Sequence, residues 1–203
     1  IVNTSRNLGR VLGVHLAQRP QLLQRALRLV IAFPYAAMNE LRGQRGLGPV
    51  QSELAPEETR ALLAASHPPT AITVALSATL LAAREEGVIS DIVLVDIDRN
   101  NQTLVDCIGA CERIHKTPLP FAYVVHLRRA LALYCATLPF ALLDRFGWAT
   151  IGIASLVSTV LFGIEEIGVE IEDPFGDDPN DLPMDRIAQT IHTSTSDILS
   201  GGG

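Results

Sequence analysis

Two stretches decide the fold: ALALYCATLPFALL at residues 130–143 and WATIGIASLVSTVLFGI at residues 148–164. The first runs for 14 residues without a charge and the second for 17, with Asp144-Arg145-Phe146-Gly147 as a turn-like link. A single bilayer span takes about 20 mostly apolar residues, with roughly 17 as the lower limit. The second run qualifies on length alone. The first qualifies only when Pro120 to Leu127 is counted with it, which leaves Arg128 and Arg129 inside or at the edge of the membrane. Charges at that depth face a protein interior, a water-filled path or the headgroups. The pair predicts two adjacent antiparallel helices in the bilayer, with Trp148 at an interface that favours its indole. A buried hairpin in the core of a soluble all-α protein satisfies the same pattern.

Working outward, apolar residues recur at helical spacing in nearly every segment, and strict alternation is almost absent. The expected class is all-α. A first helix is predicted from the start to about Gln18, and a second from Pro20 with Leu22, Leu23, Leu27, Val30 and Ile31, interrupted at Pro34. Gly43, Gly46, Gly48 and Pro49 make a loop. Pro56-Glu57-Glu58 reads as a helix start, because proline's missing N–H costs nothing in the first turn and acids favour the positive dipole end; this short helix ends near Ser66. After a break at Pro68-Pro69, Ile72, Ala75, Leu76, Leu80 and Ala83 share one face of a helix closed by Arg84-Glu85-Glu86-Gly87. Ile89 to Ile114 is helical in pattern, and Asp96, Asp98, Asn100, Asn101, Gln102 and Asp106 keep one of its faces wet.

Composition narrows the classes. The chain has 203 residues, is 48% hydrophobic with 5% aromatics, and carries a formal charge of -6. A mean hydropathy of +0.27 fits part membrane and part water-exposed helix. No basic stripe is present, which argues against nucleic-acid phosphate as a partner. Cys107, Cys111 and Cys135 form neither a disulfide framework nor a zinc motif and are read as packed thiols. His15, His67, His115, His126 and His192 lack a paired ligand spacing and are read as caps or packing. GxSxG, Walker and GxGxxG signatures are absent, so catalysis has no positive signal.

Two strings are more specific. Cys111-Glu112-Arg113-Ile114, Thr117-Pro118-Leu119-Pro120-Phe121-Ala122-Tyr123 and His126-Leu127-Arg128-Arg129 place polar, proline and aromatic positions ahead of an apolar helix. Proline twice within three residues favours extended backbone there. The second string, Gly163-Ile164-Glu165-Glu166-Ile167-Gly168-Val169-Glu170-Ile171-Glu172-Asp173-Pro174-Phe175-Gly176-Asp177-Asp178-Pro179-Asn180-Asp181-Leu182-Pro183, ends the last apolar run in a dense acidic corner. Together they resemble the bestrophin family of ion channels, in particular its bacterial branch. The likeness extends from Val2-Asn3-Thr4-Ser5-Arg6 to about Ile191.

The resemblance implies a homopentamer in a bacterial inner membrane, in contact with lipid, whose four transmembrane helices per subunit surround an axial pore continuing through a helical cytosolic region. It implies passive passage of inorganic ions, chloride or a monovalent cation, and no enzyme activity. The family's first transmembrane helix and the apolar neck of its pore are expected upstream of Ile1. On this reading residues 1–33 hold the end of one transmembrane or cytosolic helix and the next helix, 34–118 a mainly cytosolic region, 119–172 the membrane hairpin, and 173–200 the acidic corner and a C-terminal cytosolic helix. Gly201 to Gly203 read as a flexible end or an expression scar and are left out of the fold.

Site residues follow from the same resemblance. The family's second constriction lies at the cytosolic exit, which makes Asp98, Gln102 and Asp106 the candidate lining. Calcium-gated members hold Ca²⁺ in an acidic clasp, a hard cation needing six to eight oxygens; by position Asp177, Asp178 and Asp181 correspond, and Pro179 and Asn180 stand where those members are acidic. Calcium is the one cofactor raised, against a solvated cap for the helix beginning near Met184. Glu165, Glu166 and Glu170 crowd one helix end and would repel one another unpaired. Arg113, Arg128 and Arg129 are the expected partners in an ionic joint between the membrane and cytosolic parts, with a direct role of these acids in ion selection as the alternative. Two other classes fit parts of the pattern: a soluble helical interaction protein with a buried apolar hairpin, and a membrane enzyme using the Asp177 to Asp181 acids with a metal.

Overall fold

The computed structural model describes residues 1–117 and 119–200. Pro118, half of the expected double-proline break, and the expected flexible end Gly201 to Gly203 lie outside the described residues. Every regular element among them is helical. The chain divides into two compact units, residues 1–114 with 183–203, and residues 115–182.

The first unit is built around α2 (Pro20–Leu41), which packs against α1 (Val2–His15), α4 (Pro68–Glu85) and α8 (Met184–Ser200). Residues 29–38 of α2 are buried without interruption. A helix that is apolar all round has to lie inside its unit, and burying each large side chain contributes about 1.5–3 kcal/mol. That burial overrides the expected break at Pro34, which sits within α2 with five more buried residues following it in the same helix. Its missing N–H costs the Val30 carbonyl its helical donor, a penalty of about 3 kcal/mol, and the surrounding helices hold the segment straight enough to continue. α1 ends at His15 and not at Gln18, because the chain turns at Leu16 to deliver Pro20 to the first turn of α2.

Beyond α2, Gly43 and Gly48 adopt positive φ (66° and 65°), and a 3-10 turn, Gly48–Ser52, leads to α3 (Pro56–Ala64). Pro68 and Pro69 do not break the chain ahead of α4; they are its first two residues, where no N–H is needed. Gly87 (φ 73°) closes α4, donating its N–H to the Arg84 carbonyl at 3.0 Å. The long helix α5 (Asp91–Lys116) follows, in agreement with the pattern from Ile89 to Ile114.

The second unit is the hairpin of α6 (Phe121–Phe146) and α7 (Ala149–Glu170), which pack on each other. The expected four-residue link is shorter: Asp144, Arg145 and Phe146 complete α6, and only Gly147, at φ 48°, and Trp148 lie between the helices. Among the described residues α6 buries no side chain, and α7 buries only Thr150 and Ala154. Of the described helices, α7 alone is long and apolar enough throughout to cross a membrane; α6 carries Arg128 and Arg129 in its first third.

Candidate functional site

The hairpin's surface is its most unusual property. Trp148 is 90% exposed, Phe121 83% and Phe140 79%, and Leu133, Ile151, Leu156 and Ile164 also stand free of the rest of the unit. Contiguous apolar surface of this extent mostly marks an interaction or membrane face. Arg128 and Glu165 meet across the hairpin: Arg128 Nε donates to Glu165 Oε1 at 2.6 Å. With a two-residue link, a contact between an early position of α6 and a late one of α7 requires the two helices to run antiparallel, as expected. Glu170 accepts from Asn180 Nδ2 at 2.9 Å instead of an arginine. Glu166, Arg113 and Arg129 are exposed.

On α5 the three candidate lining residues divide. Gln102 and Asp106 lie on an exposed face with Val95 and Val105. Asp98 is half-buried, and its Oδ1 accepts from Ser77 Oγ at 2.6 Å. Asn101, expected on the wet face, is buried and donates to the Thr73 carbonyl and to Ser77 Oγ, both at 2.9 Å. The polar run is therefore two faces: Asp98 and Asn101 fasten α5 to α4, while Gln102 and Asp106 face outward. A run of acids and amides looks alike on either face, so period alone did not separate them.

The acidic corner folds back on itself. Asp181 Oδ2 accepts from the Asp178 N–H at 2.8 Å, the Asp178 carbonyl accepts from the Asp181 N–H at 3.0 Å, and the Pro174 carbonyl accepts from the Leu182 N–H at 2.9 Å. A Cβ on Gly176 would come within 2.6 Å of Asp181 Oδ2, so a larger residue there would have to displace that carboxylate. Phe175 is buried and meets the His115 ring edge-on at 6.2 Å, and His115 Nδ1 lies 3.4 Å from Asp173 Oδ1. Asp177 and Asp178 are exposed.

His67 does cap a helix, as expected: its Nδ1 accepts from the Thr70 N–H at 3.2 Å at the start of α4. Its other nitrogen faces a constellation that the sequence does not signal. Glu40 from α2, His67 and Glu112 from α5 bring one potential ligand atom each within 4.8 Å of one another. The cysteines behave as packed thiols: Cys107 and Cys111 are half-buried and unbridged, and burial, with Cys107 beside it, pushes the Cys111 thiol up.

A family model described as bacterial/fungal bestrophin protein matches residues 1–197. The chain is 41% identical over 207 residues to the voltage-dependent anion channel-forming protein sll1024 of Synechocystis, covering 98% of this chain and 66% of that protein. It is 34% identical to the voltage-dependent anion channel-forming protein YneE of Escherichia coli K12, across 81% of this chain and 54% of YneE. A crystal structure of a bacterial bestrophin homologue from Klebsiella pneumoniae superimposes with a TM-score of 0.92 at 30% identity, over 98% of this chain and 74% of that one. The chain thus spans about two thirds or less of the curated relatives' lengths.

Proposed function

This chain belongs to the bacterial/fungal bestrophin family, and from that premise we propose that it is part of a subunit of an oligomeric membrane channel passing inorganic ions down their gradients. The observation that carries the reading is the α6–α7 hairpin, which buries almost none of its side chains fully and leaves most of its large apolar ones exposed within its own unit. Each such side chain left in water forgoes about 1.5–3 kcal/mol, so the hairpin needs lipid, neighbouring subunits or both around it. Residues 119–172 are accordingly assigned to the bilayer of the bacterial inner membrane. Residues 34–118 and 173–200 are assigned mainly to the cytosol, and 1–33 to the end of a transmembrane or cytosolic helix and the helix after it.

The favoured assembly is a homopentamer around an axial pore, and the names of the cyanobacterial and enterobacterial relatives favour anions as the permeating species. Gln102 and Asp106 are the outward-facing polar positions of α5 and the candidates for the cytosolic part of the pathway. Conduction of this kind uses no covalent chemistry. The test is reconstitution of the full-length protein into liposomes and planar bilayers, with mass determination in detergent. A pentamer whose reversal potential follows the chloride gradient supports the reading; a cation-following potential replaces the anion assignment; a monodisperse monomer in plain buffer that carries no current refutes the channel.

A further inference from the structure

From the convergence of Glu40, His67 and Glu112, the geometry points to a site for a divalent transition-metal ion of the zinc class, in the helical unit and apart from the hairpin. Three elements far apart in the chain deliver these side chains: the last turn of α2, the residue before α4, and the last third of α5. All three are half-buried. Among the described residues this is the one place where three potential metal ligands meet.

Three details favour a metal over a plain ion pair. First, His67 Nε2 is covered from solvent and makes no hydrogen bond, although it lies 3.4 Å from Glu112 Oε1. That separation is what two ligands on a tetrahedral ion have when their bonds are about 2.1 Å long. Second, His67 Nδ1 lies 2.6 Å from Thr70 Oγ1. A metal-bound imidazole characteristically donates its second N–H to such an oxygen, which fixes the ring and its tautomer. The proton balance is closed: without metal the ring accepts the Thr70 N–H at Nδ1 and carries its proton on Nε2. With metal the proton resides on Nδ1, donated to Thr70 Oγ1 in place of the bond accepted from the Thr70 N–H, and the Nε2 lone pair meets the ion.

Third, the site is held in place before any ion arrives. Arg45 donates to the carbonyls of Ala65 and Ser66 at 3.2 and 3.4 Å, and its Nη1 lies 3.5 Å from Glu40 Oε2. The turn that presents His67 is thereby tied to the end of α2 that presents Glu40. One imidazole and two carboxylates suit zinc, manganese or iron, with water completing the shell, whereas calcium prefers oxygen alone.

The test uses the full-length protein in detergent, stripped with a chelator and titrated with Co²⁺ alone and with Zn²⁺ alone, followed by visible absorption, calorimetry and thermal unfolding. Wild type is expected to bind one ion per chain with cobalt d–d absorption, and Ca²⁺ is expected not to compete. His67→Asn keeps a good helix cap and is expected to weaken Co²⁺ at least 10-fold without lowering metal-free stability; Glu112→Gln is expected to weaken Co²⁺ at least 10-fold. Thr70→Val, which touches no ion, is expected to weaken binding about 10-fold through loss of the imidazole's partner. The absence of cobalt absorption or of any zinc-dependent thermal shift in wild type overturns the proposal. So does unchanged affinity in His67→Asn, and so does binding lost in Cys107→Ser/Cys111→Ser but retained in His67→Asn, which would assign the ion to the thiols.

Discussion

Arg128 and Glu165 hold the two helices of the hairpin together, with the guanidinium Nε 2.6 Å from the carboxylate oxygen. Glu165 is 14% exposed and Arg128 54%, so the carboxylate is the desolvated partner and depends more on the pair than the arginine does. Glu165→Gln and Arg128→Gln are each expected to lower stability in detergent, with the larger effect from Arg128→Gln, which leaves a nearly buried charge without its partner. A double-mutant cycle read by thermal unfolding should give a coupling of about 1 kcal/mol. Additive single effects would mean that the pair does not fasten the hairpin.

The division of α5 into a fastened face and an outward face separates two kinds of variant. Asn101→Ala removes a buried amide from the Thr73 carbonyl and from Ser77, and should cost about 1–3 kcal/mol in unfolding free energy. Asp98→Asn should likewise act through stability. Gln102→Lys and Asp106→Lys should leave unfolding within about 0.5 kcal/mol of wild type and shift the current-voltage relation of the reconstituted channel. If Asp106→Lys leaves the currents unchanged while Asp98→Asn alters them without loss of stability, the assignment of the two faces is reversed.

How far residues could be read from sequence follows from what each depends on. The hairpin was legible because uncharged runs at residues 130–143 and 148–164 are a property of the chain itself, and the helix starts at Pro20 and Pro56 because proline's needs are local. Continuation through Pro34 was not, since it depends on helices that arrive from elsewhere to bury residues 29–38. Asp98 and Gln102 were grouped by polarity, and only the position of Ser77 on α4 distinguishes them. Glu40, His67 and Glu112 stand 27 and 45 residues apart, a spacing that carries no signal until three helices are packed.

Tyr35 makes the helical unit sensitive to alkali. It is 8% exposed, meets the His192 ring edge-on at 6.3 Å, and lies against Gly48, where an added Cβ would overlap the phenol ring. Burial, and then the nearby charge of Asp185, raise its pKa above the ordinary tyrosine value of about 10. A group whose folded pKa is raised contributes stability that is complete below its unfolded pKa and is lost as pH rises through the folded one. Thermal stability should therefore fall above about pH 10, and Tyr35→Phe should flatten that decline. An identical alkaline slope in Tyr35→Phe would exclude the phenol as its source. Gly48→Ala, at φ 65° and against the ring, should cost about 1–3 kcal/mol at neutral pH.

The acidic corner poses a choice between a calcium clasp and a self-capped turn, and its hydrogen bonds favour the turn. A calcium ion takes six to eight oxygens, yet Asp181 Oδ2 already accepts the Asp178 N–H at 2.8 Å. Asn180, where an acidic ligand would be expected, turns its amide to Glu170. An ion bound here would have to share Asp181 with the backbone bond that shapes the corner and would meet an amide, not a carboxylate, at Asn180. Millimolar calcium is therefore expected to leave the melting temperature and currents of the full-length protein unchanged. Asp181→Ala should lower stability by about 0.5–2 kcal/mol whether calcium is present or not, and Asp178→Ala, which keeps its backbone N–H, should cost much less. A calcium-dependent rise in the wild-type melting temperature that Asp178→Ala abolishes would show instead that Asp178 and Asp181 serve as ligands.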